Sequence, residues 1–208
     1  MRTAILASQN KNKIKEIRGI LDKYDLHVIS RDDAGIPMDD IEETGTTFEQ
    51  NSMLKASVIM DMREADPELK KYADSPVIAD DSGLMVDALG GRPGVYSARY
   101  APKDQLCSKL LGELRDVPEE ERGAYFCCTI AYIDENGSGT VAGKCEGMIG
   151  YEERGTNGFG YDPVFVYGDK TLAEMTAEEK NAISHRGAAM RQLCEVFRER
   201  YGETHADK

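Results

Sequence analysis

The chain has 208 residues, 40% of them hydrophobic and 31% charged, which is enough to close one sizeable core or at most two intimately packed lobes. A formal net charge of −12 repels nucleic acid and anionic membrane, so any phosphate-bearing ligand must be held by a local cluster of cations. A run of about 18 apolar residues is absent and the N-terminus enters a strand-like segment without a signal-peptide pattern, so a soluble, cytoplasmic protein is expected, with neither nucleic acid nor membrane as partner.

Thr3 to Ala7 is a short apolar run, and Ile14, Ile17, Ile20 and Leu21 follow at helical spacing, so the chain opens strand, loop, helix. The loop between them is Ser8-Gln9-Asn10-Lys11-Asn12-Lys13. An acidic stretch, Asp39, Asp40, Glu42 and Glu43, precedes a second helix that carries Leu54, Val58 and Met62. Its start is marked by a capping box, either Thr46 with Glu49 or Thr47 with Gln50. Pro76 to Ala79 reads as a buried strand ending in Asp80-Asp81-Ser82-Gly83, with Leu84 to Leu89 and the turn-rich Gly90-Gly91-Arg92-Pro93-Gly94 behind it.

Leu106, Leu110, Leu111 and Leu114 mark a helix. Ala124 to Ile133 and Thr140 to Ile149 then flank Asn136-Gly137-Ser138-Gly139 as an antiparallel hairpin, expected to serve as scaffold. A glycine-rich loop from Gly155 to Pro163 leads into an apolar strand, Val164 to Tyr167. Thr176 with Glu179 is another capping-box match, and Ser184 caps a final helix carrying Met190, Leu193, Val196 and Phe197. Helices and strands mix throughout, so the class is α/β with both parallel and antiparallel pairing, in a single unit spanning 1–208. Cys107, Cys127, Cys128, Cys145 and Cys194 lack zinc or redox spacing and read as buried thiols; a zinc site would need several of them to converge with His27, His185 or His205.

Four loops carry residue types that suit a nucleotide. Ser8 to Lys13 joins a strand to a helix start, where backbone N–H groups and the helix dipole favour an anion, and Lys11 and Lys13 add charge; it is not a Walker loop. Glu42, Glu43, Asp80 and Asp81 offer oxygen ligands for a hard cation, which suits magnesium better than zinc. A carboxylate beside that ion is also placed to orient or deprotonate a water. The three glycines around Phe159 and Tyr161 allow close backbone approach to a flat ligand beside an aromatic ring, although their order is not the dinucleotide fingerprint. Lys180, Ser184, His185 and Arg186 lie within seven residues and supply donors for carbonyl or phosphate oxygens.

At this point the chain resembles a known family, the inosine triphosphate pyrophosphatases, which remove nonstandard purine nucleotides from the nucleotide pool and so protect DNA and RNA. The matching blocks are Leu6 to Lys13, Glu42-Glu43-Thr44-Gly45, Ile78 to Leu84, Pro93 to Tyr100, Gly158 to Pro163 and Ser184 to Gly187, in order over nearly the whole chain. The resemblance implies an elongated α/β protein, a mixed central sheet flanked by helices, with a substrate cleft between two lobes and usually a homodimer. It implies hydrolysis of inosine, deoxyinosine or xanthosine triphosphate to the monophosphate and pyrophosphate with Mg2+.

By the same resemblance Ser8, Gln9, Asn10, Lys11, Asn12 and Lys13 bind the triphosphate, and Asp81 is the general base that also contacts the metal. Glu42 or Glu43 is the other metal ligand, and Ser82 touches substrate. Phe159, Gly160, Tyr161 and Asp162 pack on base and ribose, while Lys180, His185 and Arg186 hold base or phosphates. Gln9 stands where the family usually has glycine, which alters the backbone approach to phosphate. Two rivals are a Maf-like pyrophosphatase for pyrimidine or modified nucleotides, against which His185 and Arg186 after Lys180 speak, and a non-catalytic nucleotide-binding module, which has no need of the carboxylates. Tyr96 and Tyr100 are candidate dimer contacts.

Overall fold

The computed structural model describes residues 2–21, 24, 26–36 and 41–202; Asp39, Asp40 and His205 lie outside them. The first strand, β1 (Arg2–Leu6), pairs in parallel with β2 (Leu26–Ser30) on one side and β3 (Val77–Val86) on the other. Strand β3 runs antiparallel to β4 (Gly123–Asp134), which forms a long hairpin with β5 (Gly137–Ile149). Two short strands, β6 (Phe165–Tyr167) and β7 (Lys170–Thr171), complete a seven-stranded mixed sheet in the order β2-β1-β3-β4-β5-β6-β7. The buried run Ala4-Ile5-Leu6 suits a parallel strand covered on both faces.

Helices α1 (Lys11–Leu21), α2 (Arg31–Ala34), α3 (Phe48–Ala65), α4 (Leu106–Glu113), α5 (Ala177–Ile183) and α6 (His185–Tyr201) flank this sheet. On one face α1 and α6 bury Ile17, Leu21, Met190 and Leu193 against Ile78 and Ile130. On the other face α3 buries Ala56 and Ile59 against Val77, Ala79 and Ala131. Further along the same long strands, Leu84, Phe126 and Cys145 form a separate cluster with Leu110 of α4 and Phe165 of β6. The sheet therefore serves two lobes, and the strands common to both are β3, β4 and β5.

Several local expectations hold in atomic detail. Thr47, not Thr46, caps α3: its hydroxyl accepts from Gln50 N (3.1 Å), while Gln50 reaches back to Thr46 N (2.8 Å). Thr176 and Glu179 form a reciprocal capping box for α5, and Ser184 accepts from Gly187 N (3.0 Å) to start α6.

Others need correction. The strand expected to stop at Ala79 continues to Val86, because its ladder with β4 is unbroken from Val77 opposite Ile133 to Val86 opposite Ala124. Asp80 and Asp81 thus lie within a strand and project to its opposite faces. Strand β5 reaches back to Gly137, which leaves Glu135 and Asn136 as the turn; Gly137 accepts the positive φ of 112° that closes it. Leu54, Val58 and Met62 of α3 are half-buried, and the fully buried stripe is Asn51, Ser52, Ala56, Ile59 and Arg63. Strand β2 and helix α2, the latter closed by a Ser30–Asp33 capping box, were not anticipated.

One buried cation ties the second lobe together. Arg122 is 1% exposed and donates to the carbonyls of Ile149 (2.8 Å), Leu114 (2.6 Å), Val117 (3.3 Å) and Gly150 (2.6 Å), with the Tyr151 ring 4.3 Å from its guanidinium carbon. It joins the end of α4 to the ends of β4 and β5. Replacing Arg122 by Met leaves those carbonyls without a donor, and a loss of about 3–5 kcal/mol in urea-unfolding stability is expected.

Candidate functional site

Strand β1 ends at Leu6, although Ala7 N still donates to Ile78 O (2.8 Å). Beyond that point no strand among the described residues covers this edge of β3 until Met85 bridges Pro93, and a cavity of about 510 Å³ opens over it. Both residues of the Asp pair line this cavity although their side chains leave the strand on opposite faces, that of Asp80 wholly buried. The Ser8 to Lys13 loop, Glu43, Ser82, the Phe159 to Asp162 loop, Lys180, His185 and Arg186 also line it, and two expected residues do not. Lys11 faces a separate groove on the outer side of α1, and Glu42 is exposed outside both.

The cation loop is built differently from a backbone cradle. Asn10 Oδ1 accepts from Asn12 N (3.0 Å) and Lys13 N (3.4 Å), so the side chain at the helix start already occupies N–H groups that an anion was expected to meet. Ser8 Oγ accepts from Asn10 N (3.2 Å). The positive charge reaches the cavity through the Lys13 side chain, which bonds Asp80 Oδ1.

On the α6 face, Asp80 is fully buried and gathers four donors. Ser82 Oγ (2.9 Å) joins Lys13 on one oxygen, while Arg186 Nε (2.9 Å) and Cys128 Sγ (3.0 Å) bond the other. Burial by itself would raise this carboxyl, but Arg186 and then Lys13 outweigh it and hold it well below the usual carboxylate range. Arg186 also donates to Ser82 Oγ (2.8 Å) and to Glu16 of α1. Glu16 accepts from Lys180 (2.7 Å), whose ammonium also bonds Asp162 (2.6 Å). A chain of buried ion pairs thus runs from Lys13 to the Phe159 loop.

On the α3 face, Asp81 Oδ1 accepts from Lys55 Nζ (2.9 Å), and Lys55 also holds the Asp80 carbonyl (2.9 Å) and Glu43 (2.9 Å). Arg99 bonds the other oxygen of Glu43 (2.9 Å). Asp81 Oδ2 is buried with no hydrogen-bond partner among the described residues. Burial outweighs the attraction of Lys55 and leaves the Asp81 carboxyl above its ordinary value. An unpaired buried carboxylate oxygen beside a second carboxylate fits a hard cation that takes two protein oxygens and fills its remaining positions with water and phosphate.

The third part of the cavity faces the start of α6. The His185 ring stacks on Phe126 (centroids 4.8 Å apart, planes at 12°), and its Nδ1 has no partner among the described residues. Burial, reinforced by the adjacent Arg186 charge, pushes this imidazole well below the ordinary histidine value, so it is neutral at physiological pH. A Cβ on Gly143 of β5 would collide with the His185 carbonyl, so glycine there lets α6 begin against the sheet. Half-buried Phe159 lies under Lys180 (5.0 Å) and Arg186 (5.9 Å). Tyr161 is a core residue whose hydroxyl donates to Ser97 O (2.9 Å), which leaves Phe159 as the ring of that loop available for stacking.

Lys55, Glu16 and Phe126 were missed. Lys55 is four residues from both Asn51 and Ile59 on the buried stripe, and Glu16 is three residues after Lys13 on one helix face, so a periodicity count that admitted charged residues would have found both. The hairpin expected as scaffold supplies Phe126 and Cys128 to the site.

Residues 4–196 match the model of the Ham1 family. The chain belongs to the Ham1 family. It is 47% identical over 206 residues to a dITP/XTP pyrophosphatase of Clostridium perfringens, a match covering 93% of this chain and 96% of that one. It is 45% identical over 204 residues to the Bacillus subtilis protein of the same name, covering 95% and 98%. The Ham1 protein structure from Coxiella burnetii superposes with a TM-score of 0.77 at 40% identity, covering 96% of this chain and all of that one. The Staphylococcus aureus Ham1 protein gives 0.78 at 37% identity, covering 96% of this chain and 100% of that chain.

His185 makes the fold itself sensitive to pH. Its folded pKa lies below the unfolded value near 6.5, so the unfolded chain binds the extra proton and the stability present above that pH is lost as pH falls through it. Between about pH 7.5 and 5.5 the wild type should therefore lose stability relative to a His185→Phe variant, by about 1.4 kcal/mol per pH unit below the unfolded pKa. Urea titrations of both proteins at the two pH values measure that difference.

Proposed function

We propose that this Ham1 protein hydrolyses nonstandard purine nucleoside triphosphates, those of inosine, deoxyinosine and xanthosine, to the monophosphate and pyrophosphate, and so clears them from the nucleotide pool. The observation that carries the reading is one cavity with three chemically distinct parts. Lys13 and Lys55 suit a phosphate chain, Glu43 and the unpaired Asp81 oxygen suit a divalent metal, and Phe159, His185 and Arg186 suit a base. The names of the relatives support the same activity, and family membership speaks against the Maf-like alternative.

In this reading Asp81 and Glu43 hold Mg2+, which when bound supplies positive charge against the phosphate oxygens and the leaving pyrophosphate. Glu43 takes this role rather than Glu42 because it lines the cavity. Asp81, with its carboxyl raised by burial, orients a water and accepts its proton as the oxygen attacks phosphorus at the α–β phosphoanhydride. Lys55 fixes the rotamers of Asp81 and Glu43 together. Ser8, Gln9, Asn10, Asn12 and Lys13 hold the phosphates, with Ser82 beside them. Phe159 with Gly160, Tyr161 and Asp162 carries base and ribose, and Lys180 secures Asp162.

Neutral His185 and cationic Arg186 offer donors to a 6-oxo group, and a 6-amino group in its place would leave a buried donor unpaired. No helix among the described residues is long and apolar enough to cross a membrane, and a cytoplasmic enzyme is the setting this substrate requires. The chain acts as one unit and pairs as a homodimer. Tyr96, 60% exposed, and the half-buried sheet face of Tyr125, Cys127 and Met148 support that pairing, whereas Tyr100 is half-buried within its own chain.

Pyrophosphate release with magnesium should favour inosine and xanthosine triphosphates over those of adenosine, guanosine and thymidine at equal concentration. Chelation should abolish it. Asp81→Asn should lower kcat by at least about a hundredfold at unchanged fold, the usual contribution of a positioned base. Turnover of Asp81→Asn at the wild-type rate would remove Asp81 from the mechanism, and preference for thymidine triphosphate would return the Maf-like reading.

The dimer is tested separately: light scattering should give twice the chain mass for wild type and the single mass for Tyr96→Asp.

A further inference from the structure

Three of the four lysines in the cavity wall are already held by carboxylates: Lys13 by Asp80, Lys55 by Glu43 and Asp81, and Lys180 by Glu16 and Asp162. The fourth, Lys103, is exposed and has no carboxylate within ion-pair distance among the described residues. It opens the short turn Lys103–Gln105, between the turn Gly94–Arg99 and α4.

That stretch of backbone is fastened on both sides. Tyr161 of the Phe159 loop donates to Ser97 O (2.9 Å), Lys109 donates to Tyr100 O (2.7 Å), and Cys107 Sγ donates to Gly160 O (3.3 Å). Lys103 therefore projects from a fixed frame while its own side chain stays free to move. The wall as a whole carries six cations, Lys13, Arg31, Lys55, Lys103, Lys180 and Arg186, against the four carboxylates Glu43, Asp80, Asp81 and Asp162. This local excess of two stands inside a chain of net charge −12.

We infer that Lys103 is a further substrate-binding residue, whose ammonium closes on phosphate oxygens from a wall separate from the Ser8 to Lys13 loop. The inference rests on the hydrolase reading above. Lys55 already spends its three donors on Glu43, Asp81 and the Asp80 carbonyl, and Lys13 shares its charge with Asp80. Lys103 gives up only water and side-chain freedom, so its attraction for the polyanion is not offset by a lost ion pair. An unpaired cation at the mouth also draws an anion through the repulsive field of an acidic protein.

The test compares wild type with Lys103→Met, Lys103→Glu and Lys103→Arg in steady-state hydrolysis of inosine triphosphate, with pyrophosphate as inhibitor and ionic strength varied. In Lys103→Met, KM and the pyrophosphate inhibition constant should both rise about three- to tenfold while kcat stays within about twofold. Lys103→Glu should go further, Lys103→Arg should stay near wild type, and kcat/KM of Lys103→Met should depend less on salt. A merely structural lysine would not move pyrophosphate inhibition. Active wild type with an unchanged KM and inhibition constant in Lys103→Glu overturns the Lys103 assignment alone. A wild type that releases pyrophosphate from no triphosphate overturns both readings.

Discussion

The site depends on keeping the Asp80 carboxylate ionised in a place that water does not reach. A buried charge is tolerated when its oxygens are filled, and Asp80 fills both with donors from four different segments: Lys13 from α1, Ser82 from its own strand, Cys128 from β4 and Arg186 from α6. Each donor is thereby fixed relative to the others. Loss of the carboxylate would leave Lys13 without its carboxylate and Arg186 with Glu16 alone, a defect of about 3–5 kcal/mol for a broken buried pair. The first helix and the last are pinned to one point on β3, and this joins the two ends of the chain into one site.

Strand alternation divides labour between neighbours in sequence. Asp80 faces α6 and is saturated; Asp81 faces α3 and keeps one oxygen unpaired. Burial acts on both, yet their carboxyls move in opposite directions, because Asp80 has two cations and two neutral donors while Asp81 shares Lys55 with Glu43. The same two-residue motif thus provides one group suited to holding structure and one suited to binding a metal or moving a proton. Both residues line a single cavity because β1 stops at Leu6 and uncovers the edge of β3 at that level.

Much of this was legible from sequence where the signal is local. The caps at Thr47, Thr176 and Ser184, the first strand and the β4–β5 hairpin follow from short-range hydrogen-bond chemistry and periodicity, and family resemblance picked out most of the cavity wall. The failures share a cause, which is that tertiary pairing overrides local polarity. Two aspartates look like the end of a strand, but the ladder to β4 carries β3 through them. Lys55 and Glu16 sit on helix faces that count as polar until their partners are known. Asn10 is a separate case, because it caps the helix whose free N–H groups a phosphate was expected to use and still lines the cavity.

On the proposed reading, selectivity for the base would rest on the same economy of charge. Arg186 is already committed to Asp80, Glu16 and Ser82, so its orientation is set before substrate arrives, and its charge helps keep His185 neutral. A neutral imidazole carries one donor and one acceptor, and stacking on Phe126 fixes the plane in which they point. A charged histidine would offer donors on both nitrogens and accept nothing from the N1–H of a 6-oxo purine. Burial does most to keep that ring uncharged, the guanidinium beside it adds to the effect, and Asp80 on the far side of Arg186 works against both. On the proposed reading, the ion-pair chain beneath the cavity does more than support the fold. Its Arg186 adds to burial in keeping uncharged the group that would read the base.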